Sequence, residues 1–147
     1  MLKIITLIWF IFVSVTKVEA NNYNFITVCI NESHCFNSRV ADNPGSRTKG
    51  LMNELMLPKD EGMLFVFPFE MKPEFWMKNM NFPLDIIFIN DEDIIVYLVK
   101  NVPVCREKKC PNYKTTRPAS KVLEINAGLS KALGIHVGDK VSYYIEE

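Results

Sequence analysis

Brevity of the apolar segments constrains this chain more than any other feature. After residue 20 they recur at 24–30, 35–41, 63–67, 75–78, 84–89, 94–100, 121–125 and 140–145. Together they are rich in Val, Ile, Phe and Tyr, and Pro, Gly, Asn or Asp bound them. Runs of this length suit strands, whereas core helices need roughly ten residues or more. Ile89-Asn90-Asp91-Glu92-Asp93-Ile94 puts acidic residues at a hairpin tip between two apolar runs. Two places resist a strand. Residues 44–55 carry apolar side chains at 51, 52 and 55 and read as a short helix or turn. In 127–134, Leu129, Ala132 and Leu133 fall at helical spacing ahead of Gly134, a residue suited to a helix C-cap. Eight strands and one or two short helices predict a mainly β (α+β) domain. A small closed or partly open β-barrel is the expected form, because closure removes sheet edges.

The N-terminus points to a compartment. Lys3 is followed by an almost unbroken apolar run over 4–15, and Val18-Glu19-Ala20 ends in a small residue. Residues 1–20 therefore read as a secretory signal peptide, and 21–147 as a single domain. The run is short for a membrane anchor, which needs about 20 apolar residues, and no later stretch approaches that length. The expectation is an exported protein, periplasmic or extracellular, with no transmembrane segment after signal cleavage. Cys29, Cys35, Cys105 and Cys110 all follow the signal, and an even number in an exported chain reads as disulfides. If Asn31-Glu32-Ser33 closes a hairpin, Cys29 faces Cys35 within bridging range. Cys105 and Cys110 bracket the polar loop Arg106-Glu107-Lys108-Lys109, and Pro111 follows. A metal site built on Cys29, His34, Cys35 and one distant Cys is the alternative, although its spacing matches no standard zinc pattern.

Charge and motif content narrow the function classes. Lys+Arg 17 balances Asp+Glu 17, so a general nucleic-acid binder is disfavoured. His34 and His136 are the two histidines and lie far apart, which gives a Ser-His-Asp or Cys-His hydrolase little support. No phosphate loop, dinucleotide fingerprint or zinc-protease motif is present, and no cofactor is expected. The stretch 47–85 carries the remaining chemistry. Phe75-Trp76-Met77-Lys78-Asn79 sets aromatics beside a cation and an amide, with Trp76 and Lys78 on one strand face. Asp85 sits among Leu84, Ile86, Ile87, Phe88 and Ile89, and a buried acid there needs a partner.

Arg47 and Lys78 are the nearest candidate partners. Arg47, Lys78 and Asp85, with Glu61 and Asn79, are thus expected to line one polar pocket walled by Trp76. That pocket would suit a small polar or anionic ligand. A structural salt bridge that fixes barrel register is the competing reading. The six methionines after the signal all fall between 52 and 80. They fit irregular core packing, or Cu(I) handling by thioethers. Arg106, Lys108, Lys109 and Lys114 in the long polar loop 101–120 could dock an anionic partner or envelope protein.

Several segments together resemble one family. They are Arg47-Thr48-Lys49-Gly50-Leu51-Met52, Asp60-Glu61-Gly62-Met63-Leu64-Phe65-Val66-Phe67, Phe75-Trp76-Met77-Lys78-Asn79-Met80 and Pro83-Leu84-Asp85-Ile86-Ile87-Phe88-Ile89, with the Cys105/Cys110-Pro111 loop, Tyr113 and Leu123-Glu124-Ile125-Asn126-Ala127-Gly128. The combination resembles domain-of-unknown-function family 192, a mainly bacterial group of small, often exported proteins, over roughly residues 25–145. The resemblance implies a compact β-barrel-like domain and brings no catalytic residues with it. The Cys29/Cys35 pair is not part of the family pattern. The C-terminal strand–helix–strand with Gly138-Asp139 resembles the element of cradle-loop barrels. There Gly138 can take a positive φ and Asp139 can accept backbone hydrogen bonds as a turn former. The expected role is a monomeric ligand-binding or accessory module of the cell envelope. The alternative is an enzyme using Asp85, Lys78 and Arg47.

Overall fold

The computed structural model describes residues 24–145. The segment 1–20 read as a signal lies outside them. Turn residues set the first register. β1 (Phe25–Ile30) and β2 (His34–Ala41) join through Asn31 and Glu32, whose φ angles are 50° and 58°. Asn and Asp tolerate this left-handed region better than most residues, and here a Glu follows the Asn into it. Ile30 pairs with His34 and Cys29 with Cys35. The Cys29 and Cys35 Cα atoms are 4.0 Å apart and the sulfurs are bonded. The Cys105 and Cys110 sulfurs are bonded as well.

The remaining elements follow in chain order. They are α1 (Pro44–Lys49), β3 (Glu61–Met71), β4 (Glu74–Trp76), β5 (Leu84–Ile89), β6 (Ile95–Val102), β7 (Asn112–Lys114), β8 (Ala119–Asn126), α2 (Leu129–Ala132) and β9 (Val141–Tyr144). Seven strands form one sheet in the order β6-β5-β8-β3-β2-β1-β9. Its neighbours are antiparallel except β2 and β3, which run parallel.

The two edges of this sheet meet at one end. Ile94 bridges Lys140, Ile95 N donates to Asp139 O at 2.9 Å, and Gly138 N donates to Ile95 O at 2.8 Å. The sheet is thus curled into a half-barrel, a partly open form of the expected barrel. Gly138 takes φ 98°, and Asp139 Oδ2 accepts from His136 N at 2.7 Å, so Asp139 forms the turn.

Both faces of the central strands are buried. All six residues of β5 are buried. Inside the curl, Leu64, Ile87, Ile89, Leu123 and Ile125 pack with Val28, Ile30, Phe36 and Ile135. On the other face, Met63, Phe65, Ile86, Phe88 and Val122 are covered by Leu51 and Leu57, which follow α1, and by Met77 and Met80, which follow β4. The period-2 alternation of strands assigns each side chain to one of these cores.

Three elements differ most from expectation: β3 runs over Glu61–Met71, well past the expected 63–67, β4 stops at Trp76, and β7 was not foreseen. β7 pairs with β4 as a separate ribbon, Phe75 opposite Tyr113. With Tyr113 flanked by Asn112 and Lys114, β7 has no apolar period of its own and is a strand because β4 pairs with it.

Gly62 sits where three groups converge. A Cβ there would lie 3.0 Å from the Glu124 carbonyl oxygen, 3.0 Å from Ser38 Oγ and 3.1 Å from Leu123 Cδ1. Backbone cannot give way cheaply, so Gly62→Val should lower unfolding stability by about 1–3 kcal/mol, read as a fall in the urea midpoint at unchanged slope.

Candidate functional site

Helix α1 places Arg47. Asn43 caps it: Asn43 Oδ1 accepts from Ser46 N at 3.0 Å, and Ser46 Oγ accepts from Asn43 N at 3.2 Å. Pro44 at the first helical position adds a preset φ. Arg47 Nη1 then donates to Asp42 O at 2.6 Å and Val66 O at 2.9 Å, while the guanidinium lies 5.3 Å from the Phe67 ring centroid. Among the described residues no carboxylate pairs with Arg47. A guanidinium has five N–H donors, so Nε and Nη2 remain for another partner.

The facing wall comes from β4. Phe75 packs edge-on against Phe65 at 4.9 Å and against Phe88 at 6.0 Å. Trp76 is 45% exposed, and Lys78 Nζ stands 5.3 Å from its ring. Glu74, at the rim, is engaged by Lys114 at 3.7 Å and by Asn112 Nδ2 at 3.1 Å. Between the walls lies a cleft of about 440 Å³ lined by Arg47, Thr48, Phe65, Phe67, Met71, Phe75 and Trp76, among others. That size falls in the range of small-molecule sites, roughly 300–1,000 Å³.

The structure brings Arg47 and Trp76 together at the cleft, keeps Lys78 beside Trp76 but outside the cleft lining, and sends Asn79, Glu61 and Asp85 elsewhere. Lys78 and Asn79 line a second hollow of about 350 Å³ against Cys105, Arg106, Glu107, Lys108 and Cys110. Glu61 opens β3 opposite Asn37 and lines neither hollow. Asp85 is fully buried on the far side of the sheet. Its Oδ1 accepts from Asn101 N at 2.7 Å and Gly128 N at 3.1 Å, and its Oδ2 from Ser130 N at 2.9 Å and Ser130 Oγ at 2.6 Å.

The expected pairing of Asp85 with Arg47 or Lys78 is therefore corrected. In β5 the alternation puts Asp85 with Ile87 and Ile89, on the face that α2 covers. Its partners are backbone groups and one hydroxyl. The N-cap of α2 is Gly128, which has no side chain, so Asp85 caps this helix from another strand. Of the methionines, Met63, Met77 and Met80 are core side chains, while Met56 and Met71 are exposed.

One residue of the site was missed in the sequence. Glu124 stands in β8 between Met63 of β3 and Ile86 of β5 and is 5% exposed. Its carboxyl makes no hydrogen bond or ion pair among the described residues. It lines a hollow of about 40 Å³ that shares Arg47, Thr48, Phe65, Phe75 and Trp76 with the cleft. Burial pushes its carboxyl up to about 8, so it holds its proton at neutral pH. The signal was available: Val122-Leu123-Glu124-Ile125 is a lone acid in an apolar strand, the same pattern that singled out Asp85.

Comparison with known proteins agrees with this fold. The DUF192 family model, described as "Uncharacterized ACR", matches residues 26–143. A protein of unknown function from Novosphingobium aromaticivorans DSM 12444 has a crystal structure similar to this one. It is 33% identical with a TM-score of 0.74, over 88% of this chain and 91% of that one. A protein from Sinorhizobium meliloti 1021, described as a "putative transcription regulator", is 31% identical with a TM-score of 0.76, over 82% of this chain and 95% of that one. No curated protein matches.

Two expectations follow from the buried acids. Asp85→Ala should lower stability by about 3–5 kcal/mol, because it strands buried N–H groups worth about 1–3 kcal/mol each, read as the shift of the urea midpoint. Glu124 acts with the opposite sign. Its folded value exceeds the ordinary 4.5, so the unfolded chain releases this proton first as pH rises. Its contribution should fall by about 1.4 kcal/mol per pH unit between roughly 4.5 and 8. Stability measured across that window should decline less in Glu124→Gln than in the native protein.

Proposed function

The chain belongs to the DUF192 family, and from that premise we propose that it is a ligand-binding module whose aromatic cleft takes a small organic anion. One observation carries this reading. Arg47 presents a guanidinium with spare donors, and with no carboxylate partner among the described residues, to a cleft walled by Phe65, Phe67, Phe75 and Trp76. A cation held by two backbone carbonyls keeps its charge for an incoming group, and the planar fork suits a carboxylate. The aromatic walls supply apolar contact for the ligand's body.

The proposed setting is the cell envelope. Residues 1–20 have the form of a secretion signal, and the two disulfide-bonded pairs suit an oxidising compartment. Among the described residues no helix is long and apolar enough to cross a membrane.

Benzoate is a fitting probe, with benzamide as its uncharged counterpart. Titration followed by amide NMR should give saturable shifts at Thr48, Phe67 and Trp76 for benzoate and weaker ones for benzamide. Arg47→Ala should weaken benzoate about tenfold or more, the expected loss of a charge-assisted hydrogen bond. Equal binding of the two probes, or benzoate affinity untouched in a folded Arg47→Ala protein, would overturn the reading.

A further inference from the structure

Glu124 is the buried polar group that the anion reading leaves unused. It is 5% exposed and has no partner among the described residues. Its strand neighbours cannot supply one, since Met63 and Ile86 flank it in the sheet. Its oxygens are not sealed off, so the hollow is their opening, and a ligand acceptor seated there would take the carboxyl's hydrogen bond where little water competes. The hollow it lines, about 40 Å³, accommodates a group of one or two heavy atoms. Five residues wall both this hollow and the cleft, so the two adjoin.

Resting on the anion reading, we propose that Glu124 is the second polar anchor of the cleft, and that the ligand class is a small carboxylate carrying a carbonyl oxygen at its other end. Arg47 holds the carboxylate and Glu124 donates its proton in a hydrogen bond to the carbonyl. From the segment after β2, Arg47 and Lys49 line the hollow with Glu124 and favour its ionised form, but loss of water on burial outweighs them. The other elements packed there contribute Met63, Phe65, Ile86, Phe75, Trp76 and Met80, none of which titrates. Burial in these surroundings keeps the carboxyl protonated to about pH 8 and so able to donate. Above that pH the group becomes a carboxylate, which only accepts and repels a carbonyl oxygen.

Benzoate compared with 3- and 4-acetylbenzoate isolates this contact, because ring and carboxylate are shared and the ketone is an acceptor only. By calorimetric or NMR titration at pH 6.5, at least one acetylbenzoate should bind about tenfold more tightly than benzoate. Glu124→Leu should erase that gain, so that the acetylbenzoates bind the variant no more tightly than benzoate does. Glu124→Gln, which keeps a donor, should retain part of it. Raising the pH to 9 should erase the gain in the native protein and spare it in Glu124→Gln, an arm that holds even where Glu124→Leu fails to fold. Arg47-dependent benzoate binding with no gain from either ketone would end the Glu124 proposal and leave the anion reading intact. A gain that survives at pH 9 in the native protein would do the same. Failure of all three compounds to bind would remove both.

Discussion

A sheet with apolar side chains on both faces has to be covered twice, and that requirement organises this molecule. β5 is buried along its whole length, and β3 and β8 flank the same interior. One face is covered by the sheet itself, which curls until the start of β6 meets the approach to β9. The other face has no such resource. It is covered by the residues after α1 and by the β4–β7 ribbon with the turn that follows. A cover assembled from two separate pieces has a seam, and the cleft between Arg47 and Trp76 is that seam.

Two acids placed in apolar strands show how the faces differ. Asp85 points toward α2 and finds four donors, because a short helix beginning at a glycine needs an acceptor from elsewhere. Glu124 points toward the patched face and finds none. The first carboxylate is consumed by structure. The second stays protonated because burial strips its water and, among the described residues, no hydrogen bond or ion pair replaces it.

Much of the fold was legible in the sequence. β5 falls at 84–89 as read, the Asn31–Ser33 turn sets Cys29 against Cys35, and Gly138-Asp139 forms its turn. These features are local: alternation, turn chemistry and short loops act within a few residues. β7 was invisible because its strand character comes from β4, 38 residues away at the Phe75–Tyr113 pair. The site was half legible. Arg47 and Trp76 were both singled out, and the structure unites them because their segments cover one face. Asp85 was assigned the wrong partners because alternation tells which face a side chain takes, not what covers that face. Glu124 carried the same signal as Asp85.

The parallel pairing of β2 with β3 has a consequence for how such a site arises. Parallel neighbours cannot be joined by a tight hairpin, so the chain must travel back over the sheet before re-entering it. Here residues 42–60 make that return journey, and they carry α1, Arg47 and one wall of the cleft with them. A connection obliged by topology, yet free of ladder hydrogen bonds along most of its path, can change its side chains with little disturbance to the strands beneath. The wall of the cleft and the scaffold are thereby uncoupled, so one architecture tolerates many different side chains around that cleft.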